Sequence, residues 1–249
     1  MLNYRIEGNG KPLLLVHGFG ISFNIWQNLL PLLRLHFKLI MVELPGIRET
    51  PMITDDQDYL CASVDGIKHL RRELGLDSWD VLGYSTGSRI AEAYVQKDSA
   101  HVRSAVFLCP MALDIFKVMG LRFGFWVDGF LPVIGTWLLR GWRLKFFISL
   151  FGFNFKPDPH ADEWYAQIGA LPVRVLKETL KTLIRGETRT FNVPVPFSII
   201  WGDEDIIPAT PRRRESRDYF IHSNHAAPVV AAEQVAGVIL SVLNRDSPG

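Results

Sequence analysis

Charge of one sign is what this sequence lacks most plainly: 27 Lys and Arg stand against 26 Asp and Glu in 249 residues. Nucleic-acid binding draws on a basic excess that displaces counterions from phosphates, so no nucleic-acid partner is expected. Cysteine is scarce as well. Cys61 and Cys109 show neither metal-ligand nor redox spacing, and Cys109 ends an apolar run; both read as buried free thiols, with no metal and no cofactor expected. A secretory leader is missing from the first fifteen residues, which hold Arg5, Glu7 and Lys11 and run into a strand, so the expected location is cytoplasmic. Residues 112–190 also lack a long apolar run. Their longest charge-free stretch, between Asp128 and Arg140, holds 11 residues, against about 20 for a spanning helix.

What is present is alternation. Gly8-Asn9-Gly10 is a hairpin signal leading into Leu13-Leu14-Leu15-Val16, whose unbroken apolar character suits a strand buried on both faces of a parallel sheet. Phe23, Trp26, Leu29, Leu30 and Leu33 then recur at helical spacing, with Ser22 and Asn24 available to cap. A second buried strand, Leu39 to Val42, precedes an amphipathic helix from Ser63 to Leu74. Strands follow at Trp79 to Leu82 and Val102 to Cys109, with a helix from Ser88 to Val95 between them. Further strands are expected at Val195 to Trp201 and Asp218 to Ile221, and a closing helix from Ala226 to Asn244. The fold class expected is α/β: a doubly wound, mostly parallel sheet, with its site at the carboxyl ends of the strands.

The texture changes between residues 112 and 190, which hold 14 of the 29 aromatic residues and 11 Lys and Arg against 7 Asp and Glu. We read 1–111 and 191–249 as the core, and 112–190 as a helical cap inserted over the sheet's active edge. Trp126, Trp137 and Trp142, with basic neighbours, leave two readings of the cap: weak contact with a membrane surface, or a small aromatic core of its own.

Chemistry concentrates at Gly83-Tyr84-Ser85-Thr86-Gly87, which lies between a strand and a helix. In that setting G-x-S-x-G forms a nucleophile elbow: a turn so tight that the serine is strained and its neighbours must be small. The hydroxyl then sits at a helix N-terminus, where free N–H groups favour negative charge. A serine hydroxyl needs a base, and the base needs an orienting acid. Of seven histidines, His225 stands between the last strand and the last helix, with His222 as rival. The loop from Gly202 to Pro208 offers Asp203, Glu204 and Asp205, of which Asp205 is chosen. Oxyanion donors are expected from the backbone N–H groups of Thr86 and of Phe19 in His17-Gly18-Phe19-Gly20. Phe19, Tyr84, Trp126 and Trp137 are the candidates for lining the substrate pocket.

The order H-G-F-G, G-Y-S-T-G, G-D-E-D-x-x-P and a histidine before the last helix resembles the α/β-hydrolase superfamily, in particular small bacterial esterase-type members with a helical cap. The resemblance implies Ser85 as nucleophile, Asp205 as acid, His225 as base, and Phe19 and Thr86 as oxyanion donors. The sequence departs from the family pattern at three places. Asp-x-Pro-Gly-His-Gly-x-Ser is replaced by Glu43-Leu44-Pro45-Gly46-Ile47-Arg48-Glu49-Thr50, the elbow closes on Gly87-Ser88 rather than Gly-Gly, and the segment from Asp205 to His225 is short. In that segment, Pro211 to Ser216 reads as a turn carrying a basic run, Arg212-Arg213-Arg214. The expected function is hydrolysis of a carboxylic ester, thioester or lactone of a small hydrophobic molecule through an acyl-enzyme. The alternatives are a ligand-binding or signalling protein of low turnover, and a non-hydrolytic enzyme such as a lyase or perhydrolase. The sequence does not indicate an oligomeric state.

Overall fold

The computed structural model describes residues 1–54, 57–112, 119–120, 122–124, 126, 143, 155, 158–183, 191–208 and 215–244. Seven strands form one sheet in the order β1-β3-β2-β4-β5-β6-β7. They are β1 (Tyr4–Glu7), β2 (Lys11–Val16), β3 (Phe37–Val42), β4 (Trp79–Tyr84), β5 (Val102–Leu108), β6 (Phe197–Gly202) and β7 (Asp218–Ile221). Every neighbouring pair is parallel except β1 with β3.

That exception corrects the hairpin expected at Gly8 to Gly10: β1 skips β2 and pairs antiparallel with β3. Gly8 and Gly10 are still required. Both take positive φ, and a Cβ on either would lie 2.3–2.4 Å from a backbone oxygen of residues 34–37.

The apolar runs behave as two-sided strands. Leu13 and Leu15 enter one buried cluster, while Leu14 and Val16 enter the other, because successive side chains point to opposite faces. On the first face lie Trp26, Leu33 and the closing helices α6 (Ala227–Val230) and α7 (Ala232–Leu243). On the second lie α2 (Tyr59–Glu73) and α3 (Gly87–Asp98). Each fully buried Leu, Ile or Val side chain contributes about 2 kcal/mol.

Three local expectations change. Residues 23–33 are not one helix but a 3-10 turn, Phe23–Trp26, and a short α1, Leu30–Leu33. Pro31 sits in the first turn of α1, where its missing N–H is harmless but where a longer helix could not run through it. The closing helix breaks at Ala231, whose φ is −135°. Cys61 is exposed, because it lies in the first turn of α2, whose N-cap Asp58 accepts its N–H; only Cys109 is buried.

Between β5 and β6 two helices are described, α4 (Ala161–Gly169) and α5 (Val173–Leu183). They lie across the loops that follow β2 and β3. Leu171 and Ile168 press on Gly20, and Val175 presses on Gly46. Asn28 donates to Asp158 and to the Val229 carbonyl, both at 3.0 Å, and Asn24 donates to Gln167 at 3.0 Å. Trp137, Trp142 and Arg212-Arg213-Arg214 lie outside the described residues. Among the described residues no helix is long and apolar enough to cross a membrane.

Candidate active site

Strand β4 ends at Tyr84, α3 starts at Gly87, and the two residues between them make the turn. Ser85 takes φ +53°, the left-handed region that side chains rarely adopt. Its N–H donates to the Leu108 carbonyl at 3.0 Å, which ties the elbow to β5. The flanking glycines are obligatory. A Cβ on Gly87 would lie 2.2 Å from the His17 carbonyl oxygen, and one on Gly83 would lie 2.7 Å from Ala91 and Ser88 of α3. The loop after β2 therefore crosses directly over the elbow, and Gly18 is so near that its Cβ would meet Ser85 Cβ at 2.9 Å.

Sequence-distant residues meet here. Ser85 Oγ is 2.8 Å from His225 Nε2, and His225 Nδ1 is 2.6 Å from Asp205 Oδ2. All three side chains are buried. The Asp205 carboxylate only accepts, so Nδ1 carries the ring proton and Nε2 is left to accept from the Ser85 hydroxyl. Asp205 is held in turn by the Ile207 N–H at 3.0 Å, and the loop carrying His225 is turned by Asn224, whose side chain accepts the Ala226 N–H at 2.7 Å.

The rivals pair with one another at the surface. His222 Nδ1 lies 3.2 Å from Asp203 and its Nε2 lies 3.8 Å from Glu204. The hydrogen bond between His222 and Asp203 raises the histidine pKa and lowers that of the carboxylate.

His17 is a brace. Its Nε2 accepts the Leu44 N–H at 3.0 Å, so Nδ1 carries the proton and donates to the Gly18 carbonyl at 2.8 Å. Complete burial lowers its pKa to about 4, against the partial support of the Gly18 bond, so the ring is neutral at ordinary pH. The loop from Glu43 to Thr50 closes without the usual histidine. Glu43 accepts from the Asn3 side chain at 2.7 Å, and Thr50 Oγ1 donates to the Glu43 carbonyl at 2.8 Å.

Phe19 is half-buried against the core. Among the described residues neither the Phe19 nor the Thr86 amide N–H donates a hydrogen bond, and the Thr86 hydroxyl is buried without a partner. Two of the expected pocket-lining residues have partners of their own. Tyr84 is fully buried; its hydroxyl donates to the His225 carbonyl at 2.8 Å and its ring meets Trp26 edge-on at 6.0 Å. A strand-end aromatic on the core-facing side is drawn inward. Trp126 is 61% exposed and stacks on Phe123.

Sequence reasoning missed several supports of the site. Cys109, at φ +41° on the end of β5, lies beside Asp205; burial first, then that carboxylate, push its thiol pKa well up. Ser88 and Arg89 were not read as supports, although the departure at Gly87-Ser88 marked the first of them, and Trp26 was read only as an apolar helix position.

A family model for the alpha/beta hydrolase fold matches residues 11–139. The chain is 26% identical over 238 residues to a soluble epoxide hydrolase of Corynebacterium sp. (strain C12), covering 84% of this chain and 80% of that protein. It is 27% identical over 108 residues to monoacylglycerol lipase abhd6-B of Xenopus laevis, covering 43% of this chain and only 32% of the lipase's own length. An esterase from Thermogutta terrifontis shares the fold with a TM-score of 0.79 at 20% identity, over 98% of this chain and 93% of that one.

Proposed function

The chain belongs to the α/β-hydrolase family of enzymes, and from that premise we propose that it is a serine hydrolase cleaving a carboxylic ester, thioester or lactone of a small hydrophobic molecule. Ser85 Oγ attacks the carbonyl carbon while His225 Nε2 takes its proton and Asp205 holds the imidazolium. The carbonyl electron pair moves onto oxygen and is received by the Phe19 and Thr86 N–H groups. Collapse breaks the bond to the leaving group, which departs with the proton from His225. Water then repeats the sequence on the acyl-enzyme. The observation carrying this reading is the buried relay of Ser85, His225 and Asp205, at 2.8 and 2.6 Å.

The epoxide-hydrolase relative names a different substrate, and the nucleophile decides against it. A serine that opened an epoxide would become an ether, with no carbonyl for water to attack, whereas an acyl-serine is an ester that water cleaves. A hydrophobic acyl group suits the half-buried ring of Phe19 and the apolar Ile168 and Leu171 packed over Gly20.

In this reading residues 112–190 are the cap, with α4 and α5 as part of its roof. The exposed Met119, Phe123 and Trp126 are its weak contact with a membrane surface. Two free thiols suit work in the reducing cytoplasm.

Ser85→Ala is expected to abolish both turnover of p-nitrophenyl esters and labelling by a fluorophosphonate. Retained turnover would overturn the mechanism. A flat response to acyl length would remove the hydrophobic pocket, and no response to lipid vesicles would remove the membrane contact.

A further inference from the structure

Arg89, Glu92 and Gln96 share one stripe of α3, spaced three and four residues apart. Arg89 Nε donates to the Met111 carbonyl at 3.2 Å and its Nη1 donates to Glu92 Oε2 at 2.7 Å. The same guanidinium lies over the Phe191 ring, 4.1 Å from its centroid. Glu92 Oε1 accepts the Asn192 N–H at 3.2 Å, and Gln96 donates to the Asn192 carbonyl at 2.9 Å. Beside Arg89, the Ser88 hydroxyl donates to the Ser85 carbonyl at 2.5 Å and accepts the Met111 N–H at 3.3 Å.

These partners are not scattered. Met111 is where the chain leaves the sheet after β5, and Phe191 and Asn192 are where it returns before β6. Both stems of the insertion are therefore bonded to one helix, whose N-terminus is the elbow. On an open helix face such a stripe would be a set of solvated pairs of little consequence. Here Ser88 is fully buried and Arg89 is 8% exposed, so their contacts with Met111 and Phe191 are made in an apolar setting, Phe191 stacking on Phe107 at 4.3 Å, while the Glu92 and Gln96 bonds to Asn192 lie at the exposed rim.

We propose that Ser88 and the Arg89–Glu92–Gln96 stripe form a clamp that fixes the two stems of the cap against the nucleophile elbow. Arg89 is thereby a positioning residue that sets how closely the cap confines the acyl group. The specificity half of this inference rests on the hydrolase reading; the clamp itself does not.

The test compares Arg89→Ala, Arg89→Lys and wild type on an acetyl and a decanoyl p-nitrophenyl ester, with active sites counted by fluorophosphonate titration. Arg89→Ala is expected to raise KM for the decanoyl ester about tenfold while kcat on the acetyl ester stays within about twofold, the signature of lost substrate positioning rather than lost chemistry. Lysine keeps the charge opposite Glu92 but not the planar fork over Phe191 and Met111, so rescue is partial. Amide hydrogen exchange at 111 and 191–193 is expected to quicken about tenfold, with β2 and β4 unchanged. A merely structural role would lower the fraction of active protein and move both esters alike, and that result overturns the specificity. Unchanged exchange at the stems overturns the clamp. If Arg89→Ala does not fold, Gln96→Ala removes only the Asn192 contact, and its exchange at 192–193 decides instead. Were wild type neither labelled nor active on either ester, the hydrolase reading would fall while the exchange result still ruled on the clamp.

Discussion

The two edges of the sheet are built to different rules. At the amino edge, the buried Asp80 carboxylate accepts from Arg103 at 2.8 Å and from Ser104 at 2.9 Å. Arg103 also reaches the Pro12 carbonyl at 2.9 Å and that of Ser78 at 3.0 Å, so one guanidinium stitches the starts of three neighbouring strands. At the carboxyl edge, the loops after β3, β4 and β5 hold Arg48, Ser85 and Cys109, the three non-glycine residues with positive φ among the described residues. Each such conformation costs about 1–2 kcal/mol. Thr86 Oγ1 and Glu43 Oε1 are buried there without a hydrogen bond, the nearest cation to that Glu43 oxygen being Arg48 Nε at 3.6 Å. Buried groups without a hydrogen bond occur at the amino edge too, at Arg71 Nε and Arg217 Nε, so what sets the carboxyl edge apart is its strain. All three left-handed side-chain-bearing residues lie where the strands converge on Ser85, as expected of a site that serves a ligand.

The sharpest separation of the edges comes from Ser85→Ala. Turnover is expected to fall by about 10⁴-fold or more, while stability moves by less than about 0.5 kcal/mol, because the hydroxyl serves chemistry and not packing. Ester assays beside urea titrations measure both. A large loss of stability would mean that the relay also holds the fold.

His17 gives the next largest effect, and it is a pH effect. Its pKa is depressed from 6.5 to about 4 in the folded state, so the unfolded chain takes up a proton first as the pH falls. Its contribution is therefore complete above about pH 6.5, declines between there and pH 4, and is gone below; a gap of this size corresponds to about 3 kcal/mol. Urea midpoints of wild type and His17→Gln, which keeps an acceptor for the Leu44 N–H, are expected to diverge over this window. Parallel curves would show that His17 does not carry the acid loss.

How far the sequence itself revealed this asymmetry depends on the range of each signal. Leu13 to Val16 and Leu39 to Val42 announced two-sided strands because burial on both faces leaves an unbroken apolar run. Ser85 was legible because its strain demands glycines at 83 and 87, a requirement written within five residues. The partner of β1 was not legible: Gly8-Asn9-Gly10 marks a turn but cannot say that the returning chain passes under β3. Nor was the task of Tyr84, whose hydroxyl serves a carbonyl 141 residues away. Pro31 was visible, yet the apolar period on either side of it outweighed the break it imposes.

Arg103→Ala probes the amino edge alone. It leaves the buried Asp80 with Ser104 as its remaining side-chain partner, and a loss of about 2 kcal/mol is expected, since breaking a buried pair exposes the uncompensated charge. Thermal and urea unfolding measure it, and kcat/KM per folded molecule is expected to be unchanged. Turnover falling in step with stability would erase the distinction between the edges.

The smallest effect bears on the strand that joins them. Strand β4 carries Asp80 at one end and Tyr84 at the other, both buried and both hydrogen-bonded. Burial first, and then nearby Cys109 and Asp205, raise the Tyr84 pKa well above its ordinary value, so the phenol is a neutral donor at every working pH. Tyr84→Phe keeps the ring against Trp26 and removes only the bond to the His225 carbonyl. A loss of about 1 kcal/mol in stability is expected, the net worth of one buried hydrogen bond. If that bond also steadies the His225 ring opposite Ser85, kcat falls about three- to tenfold with KM unchanged, because small displacements of a base are costly to proton transfer. The two readouts separate the possibilities. Lost stability with unchanged kcat would make Tyr84 a counterpart of Asp80, a structural group that happens to stand at the catalytic end. A rise in KM alone would return it to the pocket wall. A fall in kcat at constant KM is the expected result, and it would mean that the carboxyl edge spends even its satisfied hydrogen bonds on holding the relay in line.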